Sequence, residues 1–106
     1  MPIKNTLQKG VARCIIFKED DTWYGVALEL NIVEQGDDPQ EVMASLFEAV
    51  SGYVETARKL KMRPFALNQK PDKEYEKLWN NLAENKIDNK NVYFYGYQPL
   101  QTALAC

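Results

Sequence analysis

At 106 residues and 12.2 kDa the chain has room for one domain with a modest core. Thirteen Lys and Arg against fifteen Asp and Glu give a net charge of −2, a balance ill suited to coating nucleic acid. Histidine is absent and there are two cysteines, Cys14 and Cys106, so Ser-His-Asp triads, Cys-His pairs and Cys/His zinc sites are excluded and no disulfide framework is expected.

The chain opens with Met1-Pro2-Ile3-Lys4, which does not resemble a secretory signal, and its best apolar run is only Cys14-Ile15-Ile16-Phe17. No membrane segment is expected, and the cysteine usage suggests a reducing cytoplasm. Val11 to Lys18 reads as a first strand, since β-branched and aromatic residues favour a pleated surface. Glu19-Asp20-Asp21-Thr22 is a polar turn. Trp23 to Leu30 then alternates, with Tyr24, Val26, Leu28 and Leu30 on one face and Trp23, Gly25, Ala27 and Glu29 on the other. Asn31 permits a bend, Ile32-Val33 forms a short third strand, and Gln35-Gly36-Asp37 ends it. Links this short make an antiparallel meander.

Asp38 is placed to cap a helix, Pro39 suits its first turn, and Glu41 follows at capping-box spacing. From there Val42, Met43, Leu46, Phe47, Val50, Tyr53, Val54, Ala57 and Leu60 recur at steps of three and four, which predicts an amphipathic helix over Pro39–Lys61. Pro64 breaks it, and Phe65 to Pro71 reads as a connector. Asp72 can cap a second helix, about Lys73 to Glu84, with Tyr75, Leu78, Trp79, Leu82 and Ala83 on one stripe that suits a core. Asn85 to Asn91 is polar. Val92-Tyr93-Phe94-Tyr95-Gly96-Tyr97 is a dense aromatic strand ended by Pro99, and a right-handed crossover would set it parallel to the first strand.

Charge is segregated along the chain. Residues 1–57 hold four basic and ten acidic side chains, for −6, whereas residues 58–73 hold six basic ones against Asp72, for +5. The basic block suits a helix C-terminus and carries no interleaved stacking residues of the kind that line a nucleic-acid groove.

The run from Trp23 to Glu41 resembles the HicB antitoxin family: an aromatic-Val-Ala strand, Glu29-Leu30, the turn Gln35-Gly36-Asp37, then a helix start. Asp38 stands at the usual Thr position, and both are good caps. Val42 replaces the usual Ala, and Leu46, Glu48, Ala49, Val50 and Tyr53 continue the family's helix pattern over a match from about Val11 to Ala57. The resemblance implies a partial ribonuclease-H-like fold. That is an α+β domain with a three-stranded antiparallel meander, a long crossover helix and a fourth strand beside the first. This chain departs by its second helix and by lacking the family's DNA-binding segment. Residues 62–106 thus read as a divergent C-terminal extension of a single 1–106 domain, and DNA binding is not carried over.

A ribonuclease-H-like fold prompts a search for a two-metal nuclease, which needs carboxylates converging from strand and helix. Ala12 to Phe17 and Asn91 to Gln98 contain no acid, which leaves Glu48 alone, and Cys14 has no histidine base. The chain is therefore expected to be no enzyme and to need no metal or cofactor. What the resemblance implies instead is a protein partner, a small basic HicA-like toxin that cleaves messenger RNA. The −6 N-terminal module suits such a partner, with Trp23, Glu29, Glu34 and Asp37 as candidate contacts. Trp23 has a second reading, as a side chain covered by the second helix. The alternative function is a stand-alone oligomeric protein-interaction domain without a toxin. Self-association is expected in either case, because a four-stranded sheet leaves edges to hide.

Overall fold

The computed structural model describes residues 5–6, 10–84 and 91–100. Its elements are β1 (Val11–Glu19), β2 (Thr22–Ala27), β3 (Ile32–Gly36), α1 (Pro39–Lys59), α2 (Lys73–Ala83) and β4 (Val92–Pro99), with 3-10 turns at Leu28–Leu30 and Pro64–Leu67. One antiparallel sheet in the order β3-β2-β1-β4 makes this the α+β architecture expected, with the fourth strand beside the first.

β1 and β2 are joined by a two-residue turn in which Asp20 and Asp21 have φ of 52° and 66°. Two consecutive positive φ values match the twist of a hairpin, and short polar side chains tolerate them best. β2 ends earlier than the alternation predicts. From Leu28 the chain tightens into a 3-10 turn closed by Asn31 at φ 54°. Residues two apart diverge on such a turn, so Leu28 and Leu30 enter different cores, although alternation alone puts them on one face.

Each face of the sheet has its own helix. α1 covers Ala12, Cys14, Ile16 and Ala27 with Val42, Leu46, Val50, Val54 and Ala57. On the opposite face α2 covers Ile15, Val26 and Leu28 with Trp79 and Leu82. Cys14, Ile15 and Ile16 are fully buried, since β1 has strands on both sides and a helix on each face.

The expected parallel pairing of the last strand is overturned: β4 runs antiparallel to β1, with Val11 opposite Pro99 and Phe17 opposite Val92. The reason lies in the second helix. α1 ends beside the start of β1, where Arg58 Nη2 donates to the Leu100 carbonyl at 3.1 Å. Direct passage from there into a strand would run parallel to β1. The intervening α2 instead packs near Phe17 through Tyr75, so β4 enters from the far end and returns.

α1 stops in a Schellman arrangement, in which Met62 N–H donates to Ala57 O at 2.9 Å and Lys61 N–H to Arg58 O at 3.1 Å. The left-handed residue is Lys61, at φ 52°, where glycine is the usual occupant. At the N-termini the two aspartates differ. Asp72 Oδ1 accepts from Glu74 N–H at 3.0 Å, but Asp38 makes no side-chain cap bond, contrary to the capping-box expectation. No helix among the described residues is long and apolar enough to cross a membrane.

Candidate partner-binding surface

The fold converts charge segregation along the sequence into segregation in space. The β1–β2 turn, the end of β3 and the start of α1 meet at one end of the sheet, as the pairs Glu19–Thr22 and Trp23–Gly36 require. Glu19, Asp20, Asp21, Asp37 and Glu41 are exposed there. The N-terminus of α1, whose dipole favours negative charge, lies among them. At the opposite end Lys59, Lys61, Arg63 and Lys70 are exposed around the C-terminus of α1. An acidic pole and a basic pole thus face apart along the strand direction.

The structure divides the four sequence-predicted contacts. Trp23 and Glu34 lie on the α1 face of the sheet, both half-buried, and Asp37 is exposed just beyond them. The Trp23 ring packs against the α1-side core, takes Lys18 Nζ over its face at 6.0 Å and meets Tyr93 edge-on at 6.3 Å. Coverage of Trp23 by the second helix is ruled out, because α2 lies across the other face. Glu29 is separated from the rest. It sits toward the basic pole, where its carboxylate accepts from the Arg13 backbone N–H at 2.8 Å and from Arg13 Nε at 2.6 Å.

Arg13 is the hub of an internal network. Its two Nη atoms donate to Glu76 at 2.6 and 3.1 Å, a two-pronged pairing, and its guanidinium stacks 5.7 Å over Trp79. Burial acts to lower the Arg13 pKa, yet the hydrogen bonds it donates to Glu76 and Glu29, together with their negative charges, outweigh burial and raise the value. The network ties β1, the Leu28–Leu30 turn and α2 together. In the sequence its one signal is Arg13 itself, a lone cation inside the apolar run Val11–Phe17 that needs a partner. Asp20 and Asp21 look like turn formers in the sequence, and the hairpin geometry brings them to the acidic pole.

Among the described residues no group of three or more Cys, Asp or Glu side chains converges to hold a metal ion. Glu48 is exposed on α1. Cys14 is fully buried in the α1-side core, and burial pushes its thiol up to about 12, with the Glu29 charge adding to the effect. It is placed as a small core residue and not as a nucleophile. A groove of about 310 Å³ lies between Phe17, Tyr75, Leu78 and Val92, rimmed by Lys18, Glu19 and Glu74. Burial, followed by the neighbouring carboxylates of Glu74, Asp72 and Glu19, raises the Tyr75 pKa. No family model, curated protein or solved structure matches the chain.

Proposed function

We propose that this chain is a non-enzymatic, cytoplasmic antitoxin of HicB type that binds and masks a small basic RNA-cleaving protein. The observation that carries the reading is the acidic pole. Its Gln35-Gly36-Asp37 turn, part of the run that resembles that family, stands beside Asp20, Asp21 and Glu41. A protein that grips RNA phosphates must present cations, and a concentrated set of exposed carboxylates steers and covers such a surface. DNA binding is not part of the proposal, and neither a metal nor a cofactor is needed.

The test is stopped-flow association with the product of the neighbouring reading frame, at two salt concentrations. The informative variant is Asp20→Asn with Asp21→Asn and Asp37→Asn. Asparagine accepts the positive φ of the turn at least as well as aspartate, so the hairpin persists while charge is removed. Glu29 stays untouched, since it holds Arg13. Association should slow about tenfold at low salt and converge with the parent as salt screens charges beyond about 8 Å. Equal rates at low salt, or a larger loss on neutralising Lys59, Lys61 and Arg63, would sink the proposal.

The second reading, a stand-alone interaction domain without a toxin, is favoured by the exposed tyrosines of β4. A neighbouring frame encoding a short basic chain with one active histidine speaks for the first reading, and its absence for the second.

A further inference from the structure

β4 is an edge strand, with no described element beyond it in the sheet. The bond from Leu100 N–H to Gly10 O, 2.9 Å, sets the alternation along it. Gly96 and Gln98 turn their backbone groups to β1, so Tyr95 and Tyr97 turn theirs to the open edge. Edge strands are commonly protected by charged side chains, but Val92–Pro99 contains none, and only Pro99 blunts its end. Tyr95 and Tyr97 reach to the α2 face, where each meets Trp79 edge-on at 5.9 and 5.4 Å while Tyr97 remains 61% exposed.

We propose that two copies of this chain pair antiparallel through β4 about a twofold axis near Gly96, joining their sheets into one continuous sheet. Charge complementarity selects both the partner and the direction. The start of β4 lies at the acidic pole, where Asn91 borders Glu19, Asp20 and Asp21, whose three carboxylates outweigh the neighbouring Lys18. Its end lies at the basic pole, where Arg58 reaches the Leu100 carbonyl. Antiparallel pairing therefore sets the acidic pole of one copy beside the basic pole of the other, whereas parallel pairing would set like beside like. With Gly96 at the axis, Tyr97 stands opposite the partner's Tyr95, an aromatic cross-strand pair of the kind that stabilises sheets. The area on offer, chiefly three partly exposed tyrosines and backbone, belongs to the low end of specific interfaces, so the dimer forms in the micromolar range. This proposal does not depend on the toxin reading.

Two measurements on the full chain decide it: sedimentation equilibrium of the parent and of Tyr97→Lys, and amide exchange of the parent across a dilution series. A dimer is expected whose dissociation constant rises about tenfold in Tyr97→Lys, because the aromatic pair is lost. It should also weaken with salt, as exposed charges are screened. The Tyr95 and Tyr97 amides, which β1 does not use, should exchange more slowly as concentration rises. A monomer at about 100 µM, far above the range expected for this interface, overturns the proposal. So does a dimer in which those two amides stay as fast as in dilute solution. Should Tyr97→Lys lose its far-UV dichroism, the amide measurement on the parent settles the matter alone.

Discussion

Arg13 illustrates how a charge is kept inside a small domain. Its side chain is 20% exposed, the same as that of Glu29, and Glu76 is 36% exposed, so water screens the trio only in part. Removing the cation leaves two carboxylates facing each other against Trp79. Arg13→Ala is expected to cost about 2 kcal/mol, discounted for that exposure, in urea unfolding at pH 7. Adding Glu76→Gln should recover part of the loss, which a double-mutant cycle will show as coupling. Lys61 is the opposite case, a residue whose replacement helps. Lys61→Gly relieves the left-handed conformation at the end of α1 and should add about 1 kcal/mol, read as a higher urea midpoint with unchanged slope.

Cys14 links burial to pH. Its folded pKa, near 12, lies above that of an exposed thiol at about 8.5, so the folded state holds the proton more tightly. The stability this contributes is whole below the unfolded value. It declines as the unfolded thiol ionises, reaching a loss of about 2 kcal/mol by pH 10. Thermal unfolding followed between pH 7 and pH 10 should show a steeper fall in the parent than in Cys14→Ala, even though the variant starts lower. Parallel curves would mean that the thiol is not held neutral.

At the scale of elements, helix periodicity was the most legible signal. Leu46, Val50, Val54 and Ala57 line the buried side of α1 as their spacing predicts, and Trp79 and Leu82 are the buried anchors of α2. Strand ends were less so. Ile32-Val33 reads as a short third strand ended by Gln35-Gly36-Asp37, but the strand runs on to Gly36, because Glu34 and Gln35 sit on an edge where polar side chains are tolerated. The orientation of β4 escapes the sequence for a different reason: the crossover rule applies only to parallel strands, and α2 carries the chain to the far end of β1 before β4 begins. Of the candidate contacts, Trp23, Glu34 and Asp37 could be grouped from the hairpin pattern. Glu29 could not be set apart without knowing that the 3-10 turn aims it at Arg13. Cap chemistry also separates the helices. Asp72→Ala removes an observed bond and should cost about 1 kcal/mol, whereas Asp38→Ala should cost only the smaller charge–dipole contribution of about 0.5 kcal/mol. Chemical denaturation of the two variants gives the comparison directly.

Across the whole molecule the sheet separates two cores of unequal size. Among the described residues, twelve buried ones gather on the α1 side and five on the α2 side. Local opening follows the amount of buried apolar contact, so α2 should open at lower free energy than α1. Native-state hydrogen exchange is the check: amides of Leu78–Leu82 should lose protection well before those of Leu46–Val54 as denaturant is raised. Uniform protection in both helices would make the two cores one cooperative unit.

The pairing of β1 with β4 joins the first described strand to the last, and this has a consequence during synthesis. As the chain leaves the ribosome, β1 to β3 and α1 emerge early and can bury the α1-side core. One edge of β1 and the apolar face holding Ile15 and Val26 must then wait for α2 and β4. The nascent chain therefore carries a sticky, incomplete sheet until β4 is made, and products truncated before Val92 are expected to aggregate or be degraded. In a cell, completing β4 decides whether any of the earlier elements survive.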